Sequence, residues 1–401
     1  MKKILLSIIT ILIILTSCST IKTVKLMKSG EVEQEVFNVQ IPFEYRLGMI
    51  ILKVNISGKD YDFLLDTGAP NAISKNLAKE LNLDATHEEE VGDSQGEEAS
   101  LGIVNLERVN INGVDFLNTS ALIADLDLSK EVRCMKIDGL LGSNLMRNAV
   151  WKFDYQNQVI TISKSIESFN IPDTAYKVSF STDIAGVPSV NVAINDVVEK
   201  WVTVDLGSNG DISLSKKTFK ALIKKNPSIS HVASFGNSSS GLYGMGKRDT
   251  SYYVKSPNVS FGEISLDNTV VSFSQESGAT IGTKLFKNYD LIISWFTKEI
   301  FFIKKKNYNR STLSTLGLSL ANMDNKLVVN GMFEKSDAHK KGVQIGDQII
   351  KFGETRYDQL LPEQWCELIE KWPWDNFDKV NIIVLRENKE ISFTLKKENL
   401  L

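Results

Sequence analysis

The chain repeats itself. Phe63-Leu64-Leu65-Asp66-Thr67-Gly68-Ala69-Pro70 has a counterpart 139 residues later, Val202-Thr203-Val204-Asp205-Leu206-Gly207-Ser208-Asn209. Self-similarity at a fixed offset reports architecture before any single motif does. Ile and Ser recur seven and eight positions after each aspartate, as Ile73-Ser74 and Ile212-Ser213. Each Ser precedes a helical pattern, Lys75 to Leu83 and Lys216 to Lys225, whose free backbone amides a hydroxyl can cap. Further along, Leu140-Leu141-Gly142 lies 76 residues past Asp66, and Thr280-Ile281-Gly282 lies 77 past Asp205. Each turn leads to a terminal hairpin, Trp151–Tyr155 with Val159–Ile162 and Leu291–Trp295 with Ile300–Ile303. Upstream, Ile51–Ile56 matches Val190–Ile194. Two diverged copies of one β-rich lobe account for all of these matches.

Two apolar strands that each end in Asp-x-Gly supply what a pair of facing carboxylates needs. Two such side chains in close contact do not both ionise cheaply, so they share a proton and titrate together. The ionised member takes a proton from a trapped water while the neutral one donates to a scissile carbonyl oxygen. That chemistry requires no metal, cofactor or covalent intermediate. On these residues, 41 to 308 resembles the single-chain, two-lobed retropepsin-like aspartic peptidases of bacterial exported proteins. The resemblance implies a small closed barrel per lobe, the two forming a pseudo-dimer. It also implies a site between the lobes and a flap from at least one of them.

Asp66 and Asp205 are the expected catalytic pair. Gly68 and Gly207 let the backbone turn tightly and approach the carboxylates. Thr67 ties the two loops together through its hydroxyl, and Ser208 is placed to hydrogen-bond the outer oxygen of Asp205. One position departs from the family pattern, which expects Thr or Ser after each aspartate: Leu206 has no hydroxyl to donate. Its alternative is to hold the loop by burial, and a catalytically silent fold stays open. Glu88–Glu98 and Phe235–Arg248 occupy the places of the flaps, with turn-prone composition that suits a lid. The six acidic side chains of the first of these favour a cationic substrate if it covers the cleft.

The N-terminus has the layout of a secretory signal, with Lys2 and Lys3, an apolar run from Ile4, and Leu15-Thr16-Ser17-Cys18. The last four residues resemble a bacterial lipobox, which implies cleavage before Cys18 and a lipid on it. The apolar run is short for a membrane span, which needs about 20 residues. Ser19 is not an inner-membrane retention signal of the Asp type. The expected place is therefore the periplasmic face of the outer membrane, with surface display open. Cys134 and Cys366 are the only other cysteines, and nothing in their spacing suggests a disulfide. His87, His231 and His339 are scattered, without metal-ligand spacing. A net charge of -3 with no basic stripe excludes nucleic acid as an expected partner.

The last 90 or so residues stand outside the repeat. Leu316-Gly317-Leu318-Ser319-Leu320, a short helix ending at Gly342, Gly346-Asp347-x-Ile349, the helix Pro362 to Lys371, and strands Val380–Leu385 and Ile391–Leu395 resemble a PDZ domain. That resemblance implies a groove taking the C-terminus of a peptide as an added strand, with Leu316 to Leu320 as its carboxylate loop. Trp365, Trp372, Trp374 and Phe377 read as packing residues.

The expected organisation is mainly β: signal 1–17, tether 18–40, lobes 41–168 and 169–308, and an α+β PDZ barrel 309–401. Two lobes in one chain remove the need for a homodimer, so a monomer is expected. Three functions fit: a lipid-anchored aspartic endopeptidase acting on peptide or protein substrates, a silent peptidase fold that binds peptides, and a PDZ scaffold for envelope proteins.

Overall fold

The computed structural model describes residues 23–93, 96–236, 240–275 and 278–401. The signal segment, Cys18, and Ser94, Gln95 and Asn237–Ser239 of the candidate flaps lie outside the described residues. The protein is mainly β, with barrel-like sheets.

In the first sheet, Glu31–Val32, Val114–Ala124, Ala72–Ser74, Gly139–Gly142, Lys59–Asp66, Met49–Ile56, Glu98–Ile111 and His87–Gly92 follow in spatial order. The strand Glu98–Ile111 also pairs with Val114–Ala124, which curls the sheet on itself. The period of two in Met49–Ile56 sends Ile50, Leu52, Val54 and Ile56 into one core and Ile51 into another. Lys59–Asp66 does the same with Tyr61, Phe63 and Leu65 against Leu64. Both faces of the strand that delivers Asp66 are thus packed.

A joining sheet runs Asn38–Pro42, Val159–Ser163, Val150–Asp154, Tyr289–Ser294, Glu299–Lys304, Tyr176–Ser179. Trp151 pairs with Ile293 and Phe153 with Leu291. At the 140-residue offset that separates Gly142 from Gly282, Leu291 is the counterpart of Trp151, and Ile293 of Phe153. The register is therefore self-complementary, as at a two-fold interface. A single hydrophobic core spans both copies through these residues.

The second sheet repeats the first from Pro188–Ile194 and Val197–Val204 through Thr280–Ile281, Ile212–Ser215, Ile264–Gln275 and Asp249–Phe261 to His231–Gly236. It does not stop there. His231–Gly236 pairs with Lys326–Phe333, which is followed by Gln348–Phe352, Lys379–Arg386 and Lys389–Lys396. The C-terminal strands are thus continuous with the second copy of the repeat. They enclose a separate core of Leu327, Val329, Ile349, Phe352, Trp365, Trp374 and Ile382, with Phe377 packed against it. Pro362–Lys371 is a helix over its expected span. Trp372, which ends it in the left-handed region, is the outer member of the aromatic group.

Three expectations are corrected. The stretch expected as a tether is built into the fold from residue 23: Met27 is buried, the Ser120 hydroxyl donates to Leu26 O at 2.8 Å, and Glu31–Val32 pairs with Phe116 and Leu117. Ser74 caps the helix Lys75–Glu80, shorter than expected, by accepting from Leu77 N–H, but Ser213 caps nothing. In the second copy the strand runs on to Ser215, and Ser215 caps Lys216–Lys225 by accepting from Thr218 N–H. Finally, Cys134 and Cys366 form a disulfide across 232 residues of sequence. It joins the helix Lys130–Met135, just before Gly139–Gly142, to the helix Pro362–Lys371.

Candidate active site

Asp66 and Asp205 stand at equivalent strand ends. Asp66 pairs with Gly142 in parallel register, and Val204 pairs with Ile281, one residue before Asp205. The two carboxyl groups interact with each other directly. Each also accepts from its own loop: Gly68 N–H donates to Asp66 Oδ1 at 2.7 Å, and Gly207 N–H donates to Asp205 Oδ1 at 2.8 Å. Both residues are half-buried at the cleft. Burial raises the pKa of both above the ordinary carboxylate value, and the charge of Asp66 lifts Asp205 well above it. Both shifts run toward the protonated form, so the two groups titrate as a coupled pair.

The glycines contribute something other than a tight turn. Neither Gly68 nor Gly207 has a left-handed backbone, so the turn itself does not demand glycine. The demand is proximity, and it is reciprocal. A Cβ on Gly68 would lie 2.7 Å from Asp205 Cγ, and one on Gly207 would lie 2.4 Å from Asp66 Cγ. Any side chain at either position would push the opposite carboxylate away.

Thr67 is fully buried, and its hydroxyl joins the loops alone: it donates to Val204 O at 2.6 Å and accepts from Leu206 N–H at 2.9 Å. Leu206 contributes its backbone to that arrangement and its side chain to the core shared by both copies, where it is fully buried. The expectation for Ser208 is corrected. Its hydroxyl accepts from Gly210 N–H at 3.3 Å, and it is Gly207 N–H that donates to Asp205.

Residues beyond the Asp-x-Gly pattern fix these loops. In the first copy, Asn71 Oδ1 accepts from Gly142 N–H at 2.7 Å, Asn71 N–H donates to Asn144 Oδ1 at 2.7 Å, and the Ser143 hydroxyl donates to Thr67 O at 2.7 Å. In the second, Thr283 donates to Ser208 O, and Asp211 is held by Arg310 at 2.6 Å and Tyr308 at 3.1 Å. Ser143 and Asn144 directly follow the Leu-Leu-Gly turn; that adjacency was the available signal. The long-range partners Arg310 and Tyr308 had none.

The two flap candidates are hairpins whose tips meet. Tyr243 N–H donates to Asp93 Oδ2 at 3.0 Å, the Tyr243 hydroxyl donates to Val91 O at 3.3 Å, and Lys247 pairs with Glu97 at 3.9 Å. Thr23 donates to Glu89 at 2.7 Å. Several acidic groups of the first hairpin are therefore engaged within the protein, and Glu88, Glu90 and Glu98 face solvent. At the rim, Leu47 O accepts from Asn209 Nδ2 at 3.3 Å, while Leu47 N–H donates to Glu370 Oε2 of the C-terminal helix at 2.8 Å.

Of the residues expected to form a carboxylate loop, Leu316 and Leu320 are buried in the C-terminal core, and Leu318 and Ser319 begin the strand Leu318–Met323. Gly317 has φ +92°, and a Cβ there would lie 2.2 Å from Ser336 Oγ. The chain turns at that point where only glycine fits.

Residues 52–145 match the family model described as aspartyl protease, a span of 94 of the 401 residues. No curated protein matches the chain. Among the solved structures that match is a retropepsin-like aspartic protease from Rickettsia conorii, at 21% identity, covering 33% of this chain and 94% of that one, with a TM-score of 0.24.

Proposed function

We propose that this protein is an aspartic endopeptidase. The observation that carries the reading is the reciprocal seating of Asp66 and Asp205, each carboxylate against the glycine of the other loop, where burial disposes both toward protonation. The aspartyl protease match over the first copy of the repeat supports it. In the reaction, the ionised member of the pair accepts a proton from a water lying between them as that water attacks the peptide carbonyl carbon. The protonated member donates to the carbonyl oxygen, and the tetrahedral adduct collapses as the proton passes to the leaving nitrogen. Thr67 keeps the loops at fixed separation, a task that Leu206 supports through its backbone N–H and its burial.

In this reading residues 41–168 and 169–308 are the two lobes of a monomer, a pseudo-dimer of retropepsin-like barrels. Residues 309–401 are a PDZ domain that presents C-terminal peptides, its carboxylate loop at Leu316–Leu320. Cys18 carries a lipid that anchors the protein in the cell envelope, at the outer membrane. The Cys134–Cys366 disulfide supports an oxidising compartment of this kind.

The test is to incubate the purified chain with a diverse peptide mixture from acidic to neutral pH, beside Asp66→Asn and Asp205→Asn, and to identify new termini by mass spectrometry. Cleavage that disappears in both variants is the expected result. A folded wild-type protein that cleaves nothing at any pH would leave the silent, peptide-binding fold as the reading.

A further inference from the structure

The strand Leu318–Met323 has one strand partner among the described residues, Lys326–Phe333. Its two-residue loop, Asp324-Asn325, has both residues in the left-handed region, so Met323 and Lys326 close the hairpin as a hydrogen-bonded pair. By alternation, Asn322 turns its N–H and C=O outward, to the free edge. That outward carbonyl is taken: Lys130 Nζ donates to Asn322 O and to Asn322 Oδ1, both at 3.0 Å. One turn along the helix Lys130–Met135, on the same face, Cys134 is bonded to Cys366 of the helix Pro362–Lys371. Val132 and Met135 face away, into the core of the first sheet. The short helix therefore lies across the gap between the edge strand and the C-terminal helix, attached to one side by a lysine and to the other by a covalent bond.

We propose that the Cys134–Cys366 bond is a redox latch that holds the segment Lys130–Met135 over this groove, and that a dithiol reductant opens the groove to an extended peptide. The peptide clause rests on the reading of residues 309–401 as a PDZ domain; the latch does not. Both cysteines are half-buried, within reach of a small thiol. A thiolate of the reductant attacks one sulfur, forms a mixed disulfide and expels the other cysteine as a thiolate, which takes up a proton. The second thiol of the reductant then closes its own disulfide and frees the remaining cysteine. Two electrons and two protons pass to the protein, and the reductant leaves oxidised.

The latch also reaches the strand that delivers Asp66. Arg46 donates to Met135 O at 3.0 Å and pairs with Asp62 at 2.9 Å on the strand that ends at Asp66. Glu370, one turn beyond Cys366, holds the rim residue Leu47.

Hydrogen exchange read by mass spectrometry on the oxidised protein, the dithiothreitol-reduced protein and a Cys366→Ser variant tests the latch. Amides of 130–135 and 318–323 should exchange about tenfold faster in the last two, with the joining-sheet amides 150–154 and 289–294 unchanged. Equal exchange in all three overturns the proposal. The same samples are then offered short random peptides with free C-termini, and the same peptides amidated. Capture of the free-carboxylate pool by the reduced forms alone supports the latch and the PDZ reading together. Equal capture by the oxidised protein overturns the latch. Faster exchange with no capture leaves the latch standing and removes the PDZ reading.

Discussion

A carboxyl pair buried in a native fold is a liability as well as an instrument, and the sign of that liability is measurable. An unfolded aspartate titrates near ~3.9. In the native protein, burial raises Asp66 and, with the charge of Asp66, lifts Asp205 well above the usual value. Below pH ~4 both states carry these groups neutral, and the shift costs nothing. As pH rises past that value the unfolded chain releases the protons while the native pair retains one. The native state then binds more protons than the unfolded state, and stability falls until the raised pKa is passed. Asp205→Asn removes one member of the pair whose titration is raised. The variant should therefore gain stability over wild type as pH rises from ~4 to 7, by about 1.4 kcal/mol for each pH unit of elevation, with no gain at lower pH. Urea unfolding across that range measures it; two parallel curves would mean that no proton is held. The aspartates and Thr67 were legible in the sequence because the repeat aligned them. The reason for glycine was not, since a close approach across two loops 139 residues apart leaves no trace in either loop alone.

At the scale of elements, local signals placed what local chemistry decides. Pro362 at the first helical position and Pro373 after the last bound the C-terminal helix to the residue. The second capping serine was misplaced because strand register, a tertiary matter, carries Ile212–Ser215 two residues further than its counterpart. The pairing of His231–Gly236 with Lys326–Phe333 had no local signature at all, and it makes one wall of the flap region part of the C-terminal sheet. Gly236 is the point where that pairing is most exposed to change. It has φ +120°, and a Cβ there would lie 2.2 Å from Asn330 O and 2.6 Å from Gly331 Cα. Gly236→Ala should cost about 1–3 kcal/mol through strain and a parted ladder. The expected signature is local: faster hydrogen exchange at 233–236 and 331–333, with the joining sheet protected as before. A variant with wild-type protection there would show that the two strands are not held by this contact.

The whole molecule is organised by three cores that do not map one to one onto its three segments. One core runs through the joining sheet and includes Trp151, Leu206 and Leu291, so the two copies of the repeat cannot unfold independently without exposing it. A second lies within the first sheet, and a third belongs to the C-terminal strands. The C-terminal core is fastened to the second copy by the ladder at His231–Gly236, and to the first copy by the Glu370 contact to Leu47 and by the disulfide. The disulfide alone fastens it to the first copy covalently, and because it closes a loop of 232 residues it restricts the unfolded chain strongly. Reduction should therefore lower stability by about 2–4 kcal/mol. It should also change the form of unfolding. With the bond intact the cores are expected to melt together. With it reduced, the C-terminal core has lost its covalent tie to the first copy and should open at lower denaturant, while residues 41–308 persist as one unit. Pulsed hydrogen exchange along a guanidinium series, in oxidised and reduced protein, separates the two sets of amides. Coincident transitions in both states would show that the shared ladder by itself couples the cores, and that the disulfide adds stability without setting the unit of cooperativity.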